Sequence, residues 1–262
     1  MNNIDRRKFL AGAVATAAAT ATAGAQPKKV RQEFYELRVY RLVASEKKKL
    51  LDTYLQAALI PALNRLGIDR VGVFNEMKPK QQPSVYVLVP YRDLDVLGEL
   101  RDKLIEDREY QKAARPYLSL PATEAPYARI ESRLMRAFAG MPVMELPPES
   151  KAKKPRMFEV RIYESRNEES ARLKVEMFNE GEIQLMRDVK LGPVFYGETL
   201  ISNDVPNLTY MLSAPDMKSH QEHWQAFRQS PIWQKMKNIP KYKDTVSKIT
   251  SVYLLPAGYS QI

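Results

Sequence analysis

The chain contains two histidines, His220 and His223, three residues apart. On a helix that spacing puts both imidazoles on one face. A neutral imidazole accepts protons near pH 7 and also binds metals. Three readings stay open from these residues: partly buried histidines with backbone partners, a ligand-pocket lining, or metal or haem ligands. A metal needs third and fourth ligands; Glu222 lies elsewhere on the helix, and nothing in the spacing recommends Glu198. No metal and no cofactor is therefore assigned. Trp224, Phe227, Arg228 and Trp233 continue the segment, and Tyr196 precedes it in the same half. Such aromatics suit either a packed core or a ligand wall. Arg161 or Arg228 would stabilise an oxyanion beside a histidine base. The candidate ligand-binding residues are His220, His223, Trp224, Phe227, Arg228, Trp233, Tyr196 and Arg161, with His220, His223 and Arg228 as candidates for catalysis.

Several other chemistries are excluded. The absence of Cys removes disulfides, thiolate catalysis and Cys-ligated metal centres. The sequence has no G-x-G-x-x-G, Walker loop, H-E-x-x-H or G-x-S-x-G, so dinucleotide, phosphate-loop, zincin and α/β-hydrolase readings have no support. The 262 residues carry a formal net charge of +10, from 41 Lys+Arg and 31 Asp+Glu. Much of the surplus sits in Lys28-Lys29-Val30-Arg31 and in Lys151-Ala152-Lys153-Lys154-Pro155-Arg156. Neither stretch interleaves aromatics or carries a recognition-helix pattern, so both read as solvated charge with no nucleic-acid partner.

Residues 1–25 read as an address. Arg6-Arg7-Lys8-Phe9-Leu10 opens a run without charge to Pro27 that contains Ala23-Gly24-Ala25, a small-x-small cleavage pattern. The paired arginines resemble a twin-arginine export signal, which predicts a periplasmic or secreted protein with no stable membrane anchor after processing. Removal of residues 1–25 takes away Asp5, Arg6, Arg7 and Lys8, leaving 38 basic and 30 acidic residues and a net charge of +8.

The elements that must position the histidines occur twice. Phe34-Tyr35-Glu36-Leu37-Arg38-Val39-Tyr40 recurs 123 residues later as Met157-Phe158-Glu159-Val160-Arg161-Ile162-Tyr163. Pro83-Ser84-Val85-Tyr86-Val87-Leu88 recurs as Pro206-Asn207-Leu208-Thr209-Tyr210-Met211, and Tyr110-Gln111-Lys112 as Trp233-Gln234-Lys235. Two copies of this length mean two homologous domains rather than a solenoid. We read a first domain at 33–138, an exposed Pro-, Lys- and Glu-rich linker at 139–156, and a second domain at 157–256. At the same offset His220, His223 and Phe227 stand opposite Leu97, Leu100 and Leu104. The imidazoles thus replace leucines, which points any pocket function to the second half.

Each half reads β-α-β-β-α-β. Alternation predicts strands at 33–42, 71–77, 84–91 and 130–138, with 157–164 and 246–255 in the second half. Helical spacing covers 46–66, 93–112, 168–187 and 216–237, with breaks expected at Pro61 and Pro231. This is the ferredoxin-like order, an α+β class whose antiparallel sheet has helices on one face. We therefore expect Tyr35, Leu37 and Val39, with Phe158, Val160 and Ile162, beneath the helices. Glu36, Arg38 and Tyr40, with Glu159, Arg161 and Tyr163, would then line the polar interior of a barrel formed when the two sheets meet.

Tyr35-Glu36-Leu37-Arg38-Val39-Tyr40, Val71-Gly72-Val73-Phe74, Gly192-Pro193-Val194-Phe195-Tyr196-Gly197-Glu198 and the run from His223 to Trp233 resemble the NIPSNAP family of the dimeric α/β-barrel superfamily. The likeness spans both repeats. It implies two fused ferredoxin-like domains forming an intramolecular dimeric α/β barrel, with a pocket between sheet and helices. Superfamily relatives include cofactor-independent monooxygenases acting on polycyclic phenols, and haem enzymes. Arg101 and Tyr110 stand where Trp224 and Trp233 carry the second repeat's pattern. The expected function is binding of a small apolar or aromatic molecule in the second domain. The alternatives are a cofactor-independent oxygenase or isomerase with a histidine base, or a structural protein with a filled barrel. A homo-oligomer stays open.

Overall fold

The repeated alternation does form strands, and the strands close on themselves. In the computed structural model, which describes residues 30–78 and 81–262, the strands are β1 Phe34–Leu42, β2 Gly72–Glu76, β3 Ser84–Tyr91, β4 Tyr127–Ala137, β5 Met157–Glu164, β6 Gly192–Ile201, β7 Asn207–Ala214 and β8 Lys248–Pro256. The export-signal reading of residues 1–25 lies outside the described residues. All neighbouring strands pair antiparallel, in the closed order β1-β3-β2-β8-β5-β7-β6-β4. Each repeat supplies four adjacent strands. Two seams join them: β2 to β8, where Phe74 pairs with Pro256, and β4 to β6, where Met135 pairs with Thr199.

The long helices are offset by the same 123 residues. Helix α1 runs Lys48–Tyr54, passes through a π turn at Leu55–Leu59 and continues as Ile60–Arg65. Its counterpart, here named α4, runs Glu168–Met177, turns at Phe178–Glu182 and continues as Ile183–Asp188. Ile60 N–H bonds the carbonyl of Leu55 and Ile183 N–H that of Phe178, the five-residue spacing of a π turn. Pro61 lacks an N–H and suits such a turn. Gln184 stands at the equivalent place, however, so the turn belongs to the shared architecture and not to the proline.

The second helical stretch divides in both halves, into α2 Leu94–Glu106 and α3 Arg108–Leu118, and into α5 Met217–Gln229 and α6 Pro231–Met236. The break at Pro231 is the expected one. The break at Asp107 is not foretold by any proline; its carboxylate accepts the Tyr110 N–H at 2.9 Å and caps the new helix, as Ser230 caps α6.

The faces of the sheet are the reverse of the expectation. Tyr35, Leu37, Val39, Phe158 and Val160 point into the barrel, where they pack with Leu88, Met135 and Met211. Phe74 meets Phe158 across one seam at 4.8 Å between ring centroids, and Tyr35 meets Phe195 at 4.9 Å. Glu36, Arg38, Tyr40, Glu159, Arg161 and Tyr163 lie instead on the outer face, beneath the helices. The cause is geometric. Both faces of each sheet are covered, one by helices and one by the other sheet, and an eight-stranded barrel is only wide enough for side chains to fill. The interior must be apolar, whereas the helix–sheet layer opens to solvent at its margins and can hold charge.

The linker is only partly exposed. Lys151–Pro155 is solvated, but Met141, Met144 and Pro147 are buried, and Met144 packs into the barrel cluster. Glu33 accepts the Met144 N–H at 2.8 Å and pairs with Arg70 at 2.5 Å, tying this segment over the barrel end.

Candidate functional site

Strand alternation places Glu159, Arg161 and Tyr163 in a row on the outer face of β5, facing α4 and α5. Helix α5 starts at Asp216, whose carboxylate accepts the Ser219 N–H at 2.8 Å. Its His220, Trp224 and Phe227 then fall on one face at helical spacing. Glu159 is fully buried. Its Oε1 accepts from Arg161 Nη1 at 2.7 Å, while Oε2 lies 2.8 Å from His220 Nε2 and accepts from Trp224 Nε1 at 2.9 Å. Burial would raise this carboxyl's pKa, but the His220 hydrogen bond and the Arg161 charge outweigh burial and hold it down to about 2.

The ionised carboxylate fixes the imidazole. At 2.8 Å from an acceptor-only oxygen, Nε2 of His220 must carry a hydrogen. Trp224 Nε1 is also 3.1 Å from that Nε2, but with both nitrogens protonated its hydrogen goes to Glu159. The remaining ring nitrogen, Nδ1, is buried and, like Nδ1 of His223, has no hydrogen-bond partner among the described residues. The imidazole is thus oriented by a carboxylate on a residue that is 1% exposed.

Arg161 lies over the Trp224 ring at 4.6 Å and donates through Nε to Tyr163 Oη at 3.2 Å. Tyr210 donates to the same phenol oxygen at 2.8 Å, and burial pushes both phenol pKa values up. Deeper in the layer, Lys174 Nζ meets Glu182 Oε2 at 2.6 Å, both side chains being at most 5% exposed. The ammonium stands 4.7 Å from the Phe178 ring centroid and 5.4 Å from that of Trp233. Burial raises the pKa of the Glu182 carboxyl, and the Lys174 charge opposes that rise.

A cavity of about 370 Å³ opens between β5, β8 and α5–α6, with Arg161, Tyr163, Glu182, His220, Gln221, Trp224, Phe227, Arg228, Trp233, Ile249 and Tyr253 on its walls. Six of the eight predicted ligand-site residues meet there: Arg161, His220, Trp224, Phe227, Arg228 and Trp233. His223 and Tyr196 do not. His223 is half-buried off the cavity, with its pKa lowered by burial and then by His220 and Lys190. Tyr196 is core, among Phe138, Phe178 and Tyr210, with its hydroxyl on Met186 Sδ at 3.1 Å. Among the described residues no cluster of three His, Asp or Glu is placed to hold a metal ion.

Comparison with known proteins supplies the kinship. The NIPSNAP family model matches residues 35–139 and again 158–261, which is most of the chain and both repeats. The chain belongs to the NIPSNAP family. Comparison with curated proteins finds no match. A candidate monooxygenase from Fusobacterium nucleatum subsp. nucleatum superposes with a TM-score of 0.55 at 8% identity, covering 86% of this chain and 93% of that one. Another candidate monooxygenase, from Lactobacillus acidophilus, gives 0.52 at 5% identity, with coverages of 86% and 94%. A NIPSNAP-like domain protein from Burkholderia xenovorans is 23% identical over 40% of this chain and 88% of its own, with a TM-score of 0.36. At these identities the two monooxygenase-like structures show a common fold, the dimeric α/β barrel, made here within one chain.

Within this NIPSNAP protein, the residues that sequence reasoning missed fall into two groups. Glu159 and Tyr163 were visible in the repeated Glu-x-Arg-x-Tyr but assigned to the wrong face. Lys174 and Glu182 were not singled out, although their counterparts at the 123-residue offset are Leu51 and Leu59, both core residues. The comparison that marked the histidines would have marked this pair too. Ile249 and Tyr253 on β8 carried no signal.

Proposed function

We propose that the second-repeat cavity binds a small, mostly apolar aromatic molecule carrying an acidic hydroxyl. The observation that carries this reading is the Glu159–His220 pair, set on a wall otherwise built from Trp224, Trp233, Phe227 and Tyr253. Aromatic walls supply area and orientation, and one convergent polar group supplies selectivity. The hydroxyl would seat beside the Glu159–His220 pair, and the Arg161 guanidinium would favour its anionic form. Residues 1–25, read as an export signal, would deliver the protein to the periplasm to meet this ligand.

One observation favours a catalytic extension. A carboxylate that orients an imidazole on the wall of a cavity is the pairing a general base uses. Transfer of the hydroxyl proton to the Glu159–His220 pair would leave an anion beside Arg161, the first step shared by a cofactor-independent oxygenase and an isomerase.

Both tryptophans of the chain line this cavity, so their fluorescence reports its occupancy. Titration with 2-naphthol is expected to quench that fluorescence, and His220→Leu, the residue of the first repeat, to weaken binding about tenfold with an unchanged circular dichroism spectrum. Equal binding by the variant, or no quenching by the wild type, would overturn the proposal.

A further inference from the structure

The duplication leaves a second cavity at the equivalent place in the first repeat. It measures about 530 Å³ and lies between β1 and α2–α3. Its wall is chemically unlike that of the second repeat. Leu97, Leu100 and Leu104 stand where His220, His223 and Phe227 do, and Arg101 stands where Trp224 does. Ile105 and Leu118 extend the aliphatic surface to the rim, where they are 58% and 51% exposed.

The charges in this cavity are all positive. Arg38 gives Nε and Nη2 to Glu36 at 2.7 and 2.8 Å. That carboxylate also accepts from Tyr91 at 2.9 Å and Ser132 at 2.8 Å, so it is fully engaged. Arg38 Nη1 has no carboxylate partner among the described residues. Arg101, also on the wall, is exposed and forms no ion pair among the described residues. Among the described residues no acidic side chain lines the cavity. A surface of branched aliphatics with one unpaired cation, Arg101, beside the Glu36-bound Arg38 is complementary to a flexible apolar chain ending in an anion. It has no aromatic wall comparable to the Trp224–Trp233 pair.

We propose that the first-repeat cavity is a separate binding site for a single-chain aliphatic carboxylate, its chain along Leu97, Leu100, Leu104 and Leu118 and its head group between Arg38 and Arg101. The exposed rim could instead be covered by a second copy of the chain. A two-fold contact centred here would bring the unpaired Arg101 of each copy together, which disfavours it.

Laurate, titrated calorimetrically below its micelle concentration, tests the site. It is expected to bind while leaving tryptophan fluorescence unchanged, because no tryptophan lines this cavity. Shortening to decanoate should weaken binding about tenfold, given roughly fourfold per fully buried methylene. Arg101→Gln should weaken laurate about tenfold, since Arg101 lies outside the Glu36 network and its loss leaves the fold intact. Absence of binding, equal affinity in Arg101→Gln, or displacement of laurate by 2-naphthol would overturn the proposal. So would light scattering that shows a dimer with the cleft closed to laurate. Naphthol quenching is read on the other cavity, so its success or failure is independent of this result.

Discussion

Replacing Lys174 and Glu182 singly and together tests whether a buried polar layer was built at the expense of stability. The side chains are 5% and 2% exposed and meet at 2.6 Å, so removal of either partner leaves the other charge buried and uncompensated. Such a break costs about 3–5 kcal/mol. In a domain of this size, where 1 kcal/mol moves Tm by about 2–4 °C, Lys174→Leu and Glu182→Leu should each lower Tm by roughly 6–20 °C. The double variant restores the leucine pair that the first repeat carries as Leu51 and Leu59. Well-packed apolar replacements of buried ion pairs are often neutral, or stabilising by about 1–4 kcal/mol, so its Tm should lie within a few degrees of the wild type or above it. The Lys174→Leu defect should also depend on pH. Burial raises the folded-state pKa of Glu182 above its unfolded value. A group of that kind contributes stability fully below the unfolded pKa and loses it as pH rises through the folded one. Lys174→Leu should therefore recover part of its loss between pH 8 and pH 5. Thermal melts followed by circular dichroism measure all three variants. A double variant as unstable as either single one would refute the reasoning, because the pair would then be structural.

The opposite sign is expected at Glu159. Its folded pKa of about 2 lies below the ordinary 4.5, so it contributes stability above pH 4.5 that is lost as pH falls toward 2, on the order of 3 kcal/mol at neutral pH. The stability gap between wild type and Glu159→Gln in urea should shrink through that window, and a gap independent of pH would contradict the network drawn here. At the seam of the barrel, Phe158→Ala should cost about 3–5 kcal/mol in urea unfolding, as a large cavity in a filled interior does. A loss under about 1 kcal/mol would show that the interior is not packed as described.

Local rules made most of the fold legible. Alternation placed the strands, the 123-residue offset placed the second half, and proline marked one of the two helix breaks. Asp107 escaped because an aspartate cap ends one helix and begins another without disturbing the apolar spacing around it. The faces of β1 and β5 were misassigned for a deeper reason. Alternation separates two sets of residues but does not say which neighbour covers which set. That depends on pairings such as Phe74 with Pro256, between residues far apart in the chain. Part of the site was legible because His220 interrupts a leucine position. Tyr253 was not, since it reaches the cavity only once β8 pairs with β5, opposite Glu159.

The two helix–sheet layers show where a duplicated barrel is free to diverge. Both repeats contribute to the interior, so a change there must fit side chains from the other half. The outer layers are independent. Glu36 takes donors from Arg38, Tyr91 and Ser132, all on the sheet. Its counterpart Glu159 has Ala214 where Tyr91 would be, and it takes Trp224 and His220 from the helix instead. The second repeat thus exchanges a hydrogen bond within the sheet for bonds that cross the layer. It adds a buried Lys174–Glu182 pair where leucines would pack more cheaply. Stability does not call for these exchanges, since the first repeat folds the same backbone with Leu97, Leu51 and Leu59 in their places. Polar groups that cost free energy and converge on one cavity are what the proposed ligand-binding role would require.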